Sequence, residues 1–377
     1  MKCVISIPTY NRLEFLQIAV TSILNDPTNP GLPIFVSSDS DPRYKTKEIE
    51  TLKTLCDQRS SKIYYIDKER SEPYKRQLEK KSSLSREVID IAMNGGSAGA
   101  SRNRLLLLAC TYGAEGVIFS DDDMEVDEGF IDHHTLALGN TISKFVSRLK
   151  NKKIPTKLSR GLNQAGLKKR IEIFSAGWRF YWQKENIYLK KSEFLYESYE
   201  LGGGNLSMTN LVYSTIPFST NIICEDYVLG QHAKIMLEPL NGIVIKGGYS
   251  ISNHGESDHT DIERGETEAE NFSRGDLINI TRNVAKNLPA PLRDSYGREM
   301  IKRIGIEVQN FIQSSKFQEE LLEVERVYSD RPNPKKITDR FKEILYENGI
   351  LYQNWPDLTD AAKQIDPSIL EEFLVTK

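Results

Sequence analysis

The stretch Gly116-Val117-Ile118-Phe119-Ser120-Asp121-Asp122-Asp123 runs from apolar residues straight into three consecutive carboxylates. The apolar part reads as a strand. Three adjacent carboxylates repel one another and are costly to desolvate, so a strand that ends in them needs a reason. A divalent cation relieves both costs. Magnesium and manganese sites typically use one or two protein carboxylates, with substrate phosphates and water completing the shell. In an extended chain Asp121 and Asp123 point the same way, as a pair sharing one metal-bound ligand would require. The plainer alternative is a solvated strand end, or a cap for a following helix.

Outward from this run, strand-like and helix-like segments alternate. Cys3 to Ile7 reads as a buried strand and Pro8-Thr9-Tyr10-Asn11 as a turn. Leu13 to Leu24 carries Phe15, Leu16, Ala19, Val20 and Ile23 at helical spacing. The Pro- and Gly-bearing run from Asp26 to Gly31 ends that helix. Ile34 to Ser37 and Ile63 to Ile66 are further strands, and small residues from Ser97 lead into a helix over Arg102 to Cys110. This alternation predicts an α/β fold, a mostly parallel sheet with helices on both faces. Ligands of such sheets bind at the carboxyl ends of the strands. Beyond residue 262 the strand pattern stops. Met300 to Val327, Ile337 to Tyr346 and Leu358 to Leu374 are amphipathic segments, expected to break at Pro332, Pro334 and Pro356. The expected division is residues 1–262 as one domain and 263–377 as a mainly helical C-terminal appendage.

The 377 residues are 39% hydrophobic and 27% charged, enough to build a core and too apolar for wholesale disorder. Fifty basic against fifty-three acidic side chains leave a net charge of -3, which argues against a nucleic-acid partner. The longest apolar run, Leu105 to Cys110, is far short of the roughly 20 residues that span a bilayer. The N-terminus does not read as a signal peptide, since its short β-branched run turns at Pro8. Cys3, Cys56, Cys110 and Cys224 make no CxxC pair and read as reduced thiols. The expected location is the cytoplasm. Lys144 to Arg170 holds ten Lys or Arg and no acid. It reads as a surface loop, with contact to an anionic acceptor or the periphery of a membrane as the functional alternative.

Three further constellations carry chemistry. Ile222-Ile223-Cys224-Glu225-Asp226 delivers a second acid pair at the start of a predicted helix. A carboxylate there is a candidate general base, or simply a favourable partner for the helix N-terminus. Gly202-Gly203-Gly204-Asn205 lets a substrate approach the backbone, or makes a tight turn. In Asn253-His254-Gly255-Glu256-Ser257-Asp258-His259, His254 and His259 are competing candidates to complete a cation's shell, one that manganese tolerates better than magnesium.

Together these pieces resemble the GT-A glycosyltransferases, specifically the large inverting family 2. Val4-Ile5-Ser6-Ile7-Pro8-Thr9-Tyr10-Asn11-Arg12 is similar to that family's opening strand and nucleotide-holding turn. Asp39 matches its base-contacting acid, and Ala98-Gly99-Ala100-Ser101-Arg102-Asn103 its Ala-Arg-Asn segment, with Ser101 standing before the arginine. Asp121, Asp122 and Asp123 match the Asp-x-Asp motif, Gly203, Gly204 and Asn205 the acceptor-side turn, and Glu225-Asp226 the catalytic acids.

The resemblance covers residues 1 to 260. It implies a donor site of Pro8, Thr9, Tyr10, Asn11, Arg12, Asp39, Arg102, Asp121 and Asp122. It further implies acceptor contacts at Gly203, Gly204 and Asn205, Asp226 as base beside Glu225, and Mn2+ or Mg2+ on Asp121, Asp123 and His254. The implied donor is a UDP- or GDP-sugar, and the implied acceptor a glycan, a lipid-linked group or a small molecule. The chain departs from the family after the second strand, where Ser38-Asp39-Ser40-Asp41 replaces paired acids followed by Gly-Ser. The Gln-x-x-Arg-Trp signature of processive synthases is absent, which implies one addition per binding event. The rivals are a sugar-phosphate nucleotidyltransferase and a non-catalytic carbohydrate-binding or scaffold protein. Trp178, Tyr181 and Trp182 are candidates to stack on sugars or to fill a core, and the C-terminal helices are candidates to form a homo-oligomer.

Overall fold

The computed structural model describes residues 1–59, 61–94, 97–126, 128–139, 145–147, 195–197, 205–222, 225–236, 242–245, 250–252, 264–288, 297–329 and 333–375. The strands are β1 (Cys3–Thr9), β2 (Ile34–Ser38), β3 (Ile63–Asp67), β4 (Gly116–Ser120), β5 (Met124–Val126), β6 (Phe145–Ser147), β7 (Leu195–Glu197), β8 (Asn205–Thr209), β9 (Gly242–Ile245) and β10 (Ser250–Ser252). The first helices are α1 (Leu13–Asn25), α2 (Pro42–Arg59), α3 (Glu72–Lys81), α4 (Arg86–Asn94), α5 (Ala98–Tyr112) and α6 (Phe130–Gly139). There follow α7 (Asn210–Tyr213), α8 (Glu225–Met236), α9 (Arg264–Asn287), α10 (Gly297–Gln313), α11 (Ser315–Val327) and α12 (Pro334–Lys363), then a 3-10 helix over Pro367–Phe373.

The main sheet has the order β3-β2-β1-β4-β8-β6-β9-β7. Its first four strands are parallel, and β8 runs antiparallel to β4 and β6. This is a Rossmann-like α/β core with a C-terminal helical extension. Residue alternation sorts the strands into two faces. Val4, Phe35, Tyr64, Ile66, Val117 and Phe119 face α3, α4, α5 and α12. Cys3, Ile5, Ile34, Val36, Ile63, Tyr65 and Ile118 face α1, α2 and α6. Each such side chain removed from water contributes about 1.5–3 kcal/mol, so both faces demand cover. The spacing of Leu16, Ala19, Val20 and Ile23 gives α1 one apolar stripe for this purpose. By contrast α5 is buried all round from Gly99 to Thr111, because sheet and C-terminal helices enclose it.

The extension builds this enclosure. Trp355 on α12 is fully buried and its indole N–H donates to the Tyr213 carbonyl at 3.0 Å. Thr111 on α5 donates to the Ala362 carbonyl at 2.8 Å. Past the 3-10 helix, the Val375 N–H donates to the Ile63 carbonyl at 2.8 Å, so the chain end covers the β3 edge. The boundary expected at residue 262 falls outside the described residues.

Three local expectations change. α12 runs through Pro356, where the sequence suggested a break. A proline inside a helix costs about 3 kcal/mol; buried Tyr352, Trp355 and Leu358 on either side offset it. α5 begins at Ala98, not Arg102, because the Ser97 hydroxyl caps it by accepting from the Ala100 N–H. Phe145–Ser147, inside the basic stretch expected to be a loop, pair into the main sheet as β6; the rest of that stretch, and Trp178, Tyr181 and Trp182, lie outside the described residues. Among the described residues no helix is long and apolar enough to cross a membrane. Burial pushes the thiols of Cys3 and Cys110 up to about 11 and about 12, while Cys56 is half-buried.

Candidate functional site

The parallel strands β1, β2 and β4 end at one edge of the sheet, and antiparallel β8 starts there. At that edge stand Pro8 to Arg12, Asp39, Asp121 to Asp123 and Asn205, whose backbone is in register with Ser120. Gly203, Gly204, His254 and His259 lie outside the described residues.

The turn after β1 is locked onto the turn after β2. Asn11 takes a left-handed backbone, φ +54°. Its N–H donates to the Ser40 hydroxyl at 2.7 Å, its side-chain amide donates to Asp41 at 3.1 Å, and its side-chain oxygen accepts from the Asp41 N–H at 2.8 Å. Beneath lies the fully buried carboxylate of Glu48 on α2, which accepts from the hydroxyls of Ser38, Ser40 and Tyr65 at 2.8, 2.6 and 2.8 Å. Burial, reinforced by the Glu48 charge, holds the Tyr65 phenol far above its ordinary pKa. Asp39 pairs with the fully buried Arg104 of α5 at 2.5 Å. Tyr10 is 60% exposed over this edge.

The acid run does not continue as a strand. The Met124 N–H donates to the Asp121 carbonyl at 3.1 Å and closes a turn, so strand alternation does not orient Asp121 and Asp123. Two arginines orient them instead. Arg12 reaches Asp122 at 3.3 Å and Asp123 at 3.2 Å. Asp122 also accepts from the Thr9 hydroxyl at 2.8 Å, which ties the end of β4 to the end of β1. Burial lifts the Asp122 carboxyl to about 6; Thr9 and Arg12 pull it down, and Asp121 and Asp123 push it up.

Arg102, 5% exposed on α5, pairs with Asp121 at 2.5 Å and, through its other terminal nitrogen, with Glu225. The two acid clusters of the sequence are thereby brought to one place. Glu225 is buried and Asp226 half-buried, both in the first turn of α8, where the helix dipole favours negative charge. The ion pairs among the described residues set four carboxylates (Asp121, Asp122, Asp123, Glu225) against two guanidiniums (Arg12, Arg102), a surplus of two negative charges in that group. Among the described residues no group of three His, Cys, Asp or Glu is placed to hold a metal ion. The side chain of Asp121 is 31% exposed, against 6% for Asp122 and 5% for Asp123. Charge surplus and hard oxygen donors fit a magnesium or manganese ion whose shell is completed by diphosphate and water.

Sequence reasoning missed the support of the second acid pair. Asn103 donates to the Phe218 carbonyl and accepts from the Phe218 N–H, both at 2.8 Å. Asn348 of α12 does the same for Thr220, at 2.9 Å each way. The available signal was a polar residue at a core position: Leu345, Asn348, Tyr352 and Trp355 follow one helical stripe, and all are fully buried. His134 is buried against Phe130 and shares a hydrogen bond with Ser207 at 2.8 Å.

No family model and no curated protein sequence matches the chain. Its fold is similar to those of several solved structures. A mannosyltransferase from Pyrobaculum calidifontis, solved with GDP-Man and Mn2+, is 10% identical over 92% of this chain and 85% of its own, with a TM-score of 0.42. GalNAc-T7, solved with UDP, GalNAc and Mn2+, is 10% identical over 81% of this chain and 54% of its own, with a TM-score of 0.45. A glucosyl-3-phosphoglycerate synthase from Mycobacterium tuberculosis, solved with Mn2+, UDP and glucosyl-3-phosphoglycerate, is 12% identical over 73% of this chain and 80% of its own, with a TM-score of 0.38. Likenesses at such identities and scores assign neither substrate nor reaction.

Proposed function

We propose that this protein is a metal-dependent, inverting glycosyltransferase of the family 2 type, moving one sugar per encounter from a UDP- or GDP-sugar to an acceptor hydroxyl. The observation that carries this reading is the Arg102 bridge, which joins the strand-end acids to the Glu225-Asp226 pair. Donor chemistry and acceptor chemistry need those two groups on either side of one sugar.

In this reading the turn of Thr9, Tyr10, Asn11 and Arg12, with Asp39, holds the nucleotide. Asp121 and Asp123 would hold Mn2+ or Mg2+, with His254 as the further ligand that the resemblance implies; such an ion would supply positive charge for a departing diphosphate. Asp226 takes the proton of the acceptor hydroxyl, whose oxygen bonds to the anomeric carbon as the bond from that carbon to phosphate breaks on the opposite face. Glu225 is committed to Arg102 and orients the site. Gly203, Gly204 and Asn205 are the acceptor contacts that the resemblance implies.

The experiment is thermal melting with a panel of nucleoside diphosphates, with manganese and with chelator, followed by transfer assays on Asp226→Asn. A ligand that binds only the folded state raises the melting temperature by mass action. One nucleotide should stabilise in a metal-dependent way, and Asp226→Asn should keep that response while losing transfer. Unimpaired transfer in Asp226→Asn would remove Asp226 from the mechanism. Absence of any response to diphosphates would favour the binding-protein reading.

A further inference from the structure

Four consecutive residues, Phe218 to Asn221, lead towards Glu225, and each is gripped from outside the segment. Phe218 is paired with Asn103 of α5. The Ser219 hydroxyl bonds the Tyr352 hydroxyl of α12. The Thr220 peptide is paired both ways with Asn348 of α12. Asn221, in the left-handed region at φ +58°, donates its N–H to Ser97 at 3.1 Å and its side-chain amide to Glu347 of α12. Glu347, Asn348 and Tyr352 form one face of a single helical stretch.

Asn348 uses its whole amide. Its oxygen accepts from Thr220, and its nitrogen donates to the Thr220 and Ile344 carbonyls, each at 2.9 Å. It is fully buried among Ile344, Leu345 and Leu351 of the core. An unmatched amide there would be destabilising, so its presence is accounted for by the Thr220 peptide.

We propose that Asn348 is a positioning residue for the transfer reaction, a strut through which α12 fixes the Thr220 peptide and so the entry into α8, which carries Glu225 and Asp226. This rests on Asp226 being the base. The C-terminal extension then belongs to the catalytic machinery, although it lies more than a hundred residues beyond the acids it sets. The nucleotide turn and the strand-end acids stand on β1 and β4. Loss of the strut therefore displaces the base and leaves the turn after β1 in place, while Asp121 is touched only through the Arg102 it shares with Glu225. A displacement of about 1 Å in a reacting group lowers the rate on the order of 10²-fold.

The test uses the full chain and the variants Asn348→Ala and Asn348→Asp, with Tyr352→Phe as a milder change that removes a single hydroxyl. Two quantities are read: hydrogen exchange of the backbone over residues 216–229 compared with 1–12, and kcat against donor KM. Expected are faster exchange over 216–229 alone and a kcat lowered on the order of 10²-fold with donor KM unchanged. Tyr352→Phe should move both readouts the same way and less. Should the Asn348 variants fail to fold, Tyr352→Phe decides by the same two readouts. Unchanged exchange over 216–229, or an unchanged kcat, overturns the strut. If the wild type transfers sugar from no donor, the underlying reading falls, and the exchange measurement still shows separately whether Asn348 holds the segment.

Discussion

The guanidinium of Arg102 pairs with the carboxylate of Glu225, 123 positions further along the chain, in a place where neither side chain is more than 8% exposed. The same guanidinium carries Asp121 on its other nitrogen and lies 5.5 Å from the centre of the Phe218 ring. Removing one member of a buried ion pair strands the other, at about 3–5 kcal/mol. Arg102→Ala should therefore lose stability of that order and lose transfer as well. Arg102→Lys, a point charge without the planar fork, cannot set a separate nitrogen on each carboxylate. It should recover more stability than rate. Urea unfolding and transfer rates on the three proteins check this, and a fully active Lys variant would show that bridging both acids is unnecessary.

Gly99 offers a second handle on the same place. A Cβ there would overlap the Ser219 carbonyl oxygen and come within 3.5 Å of the Glu225 side chain. Backbone must move to admit it, so Gly99→Ala should cost about 1–3 kcal/mol and lower kcat. Gly113 is the control. It ends α5 in the left-handed region at φ +70°, where alanine strains only the cap. Gly113→Ala should destabilise by about 1 kcal/mol and leave kcat unchanged. Equal kcat in both variants would mean that Gly99 matters for folding alone.

The elements at this edge were legible because local pattern dictates them. Ile5, Ile7, Val36 and Ile118 alternate into a core that any strand of that composition must find. The candidate acids were legible because carboxylate runs at strand ends are costly and so conspicuous. Their orientation was not, for it depends on the Met124–Asp121 turn, on Arg12, which reaches Asp122 and Asp123 across 110 and 111 residues, and on Arg102, which reaches Asp121 across 19. Such long-range pairing leaves no periodic trace. Pro356 shows the opposite failure. A strong local rule predicted a break, and burial of Trp355 and its neighbours overrode it.

Asp26 sets an acid limit on stability. It accepts from the Thr28 N–H and hydroxyl and from the N–H groups of Gly129 and Ile131, at 2.7–3.0 Å, and so joins the end of α1 to the start of α6. Burial pushes its carboxyl up, but these four bonds, Ile131's first among them, bring it below the ordinary value. A depressed pKa means stability that is present above the unfolded value near 3.9 and fades as pH falls through the lower folded value. Asp26→Asn should cost about 2 kcal/mol at pH 7. The gap between the two proteins should narrow below about pH 4. A gap constant from pH 7 to pH 3 in denaturant melts would rule out this charge as its origin.

Asp121→Asn removes the most exposed carboxylate of the run while keeping its shape. Its partner Arg102 remains held by Glu225, so the fold should survive. Metal-dependent stabilisation by the preferred nucleoside diphosphate should disappear, and any metal-independent part should persist. Melting with manganese and with chelator reads both. An unchanged manganese response would move the ion away from Asp121.

Asn11 separates shape from contact in the turn after β1, the proposed nucleotide turn. Its positive φ suits asparagine or glycine, and its amide ties the turn after β1 to Asp41 after β2. Asn11→Gly keeps the backbone and deletes both side-chain bonds, at about 1 kcal/mol or somewhat more. Asn11→Ala deletes them and adds the left-handed strain of about 1–2 kcal/mol, so it should be the less stable of the two. Asn11→Asp keeps an acceptor for the Asp41 N–H but sets two carboxylates face to face, and should loosen the turn most at low salt. In all three the gap between the β1 and β2 turns is no longer fixed. Nucleotide affinity should therefore fall about tenfold, equivalent to roughly 1.4 kcal/mol, while kcat at saturating donor holds because Asp226 is untouched. Titration calorimetry with the preferred diphosphate and steady-state kinetics give the two numbers. Wild-type affinity in Asn11→Gly would show that the turn grips the nucleotide through its backbone path alone.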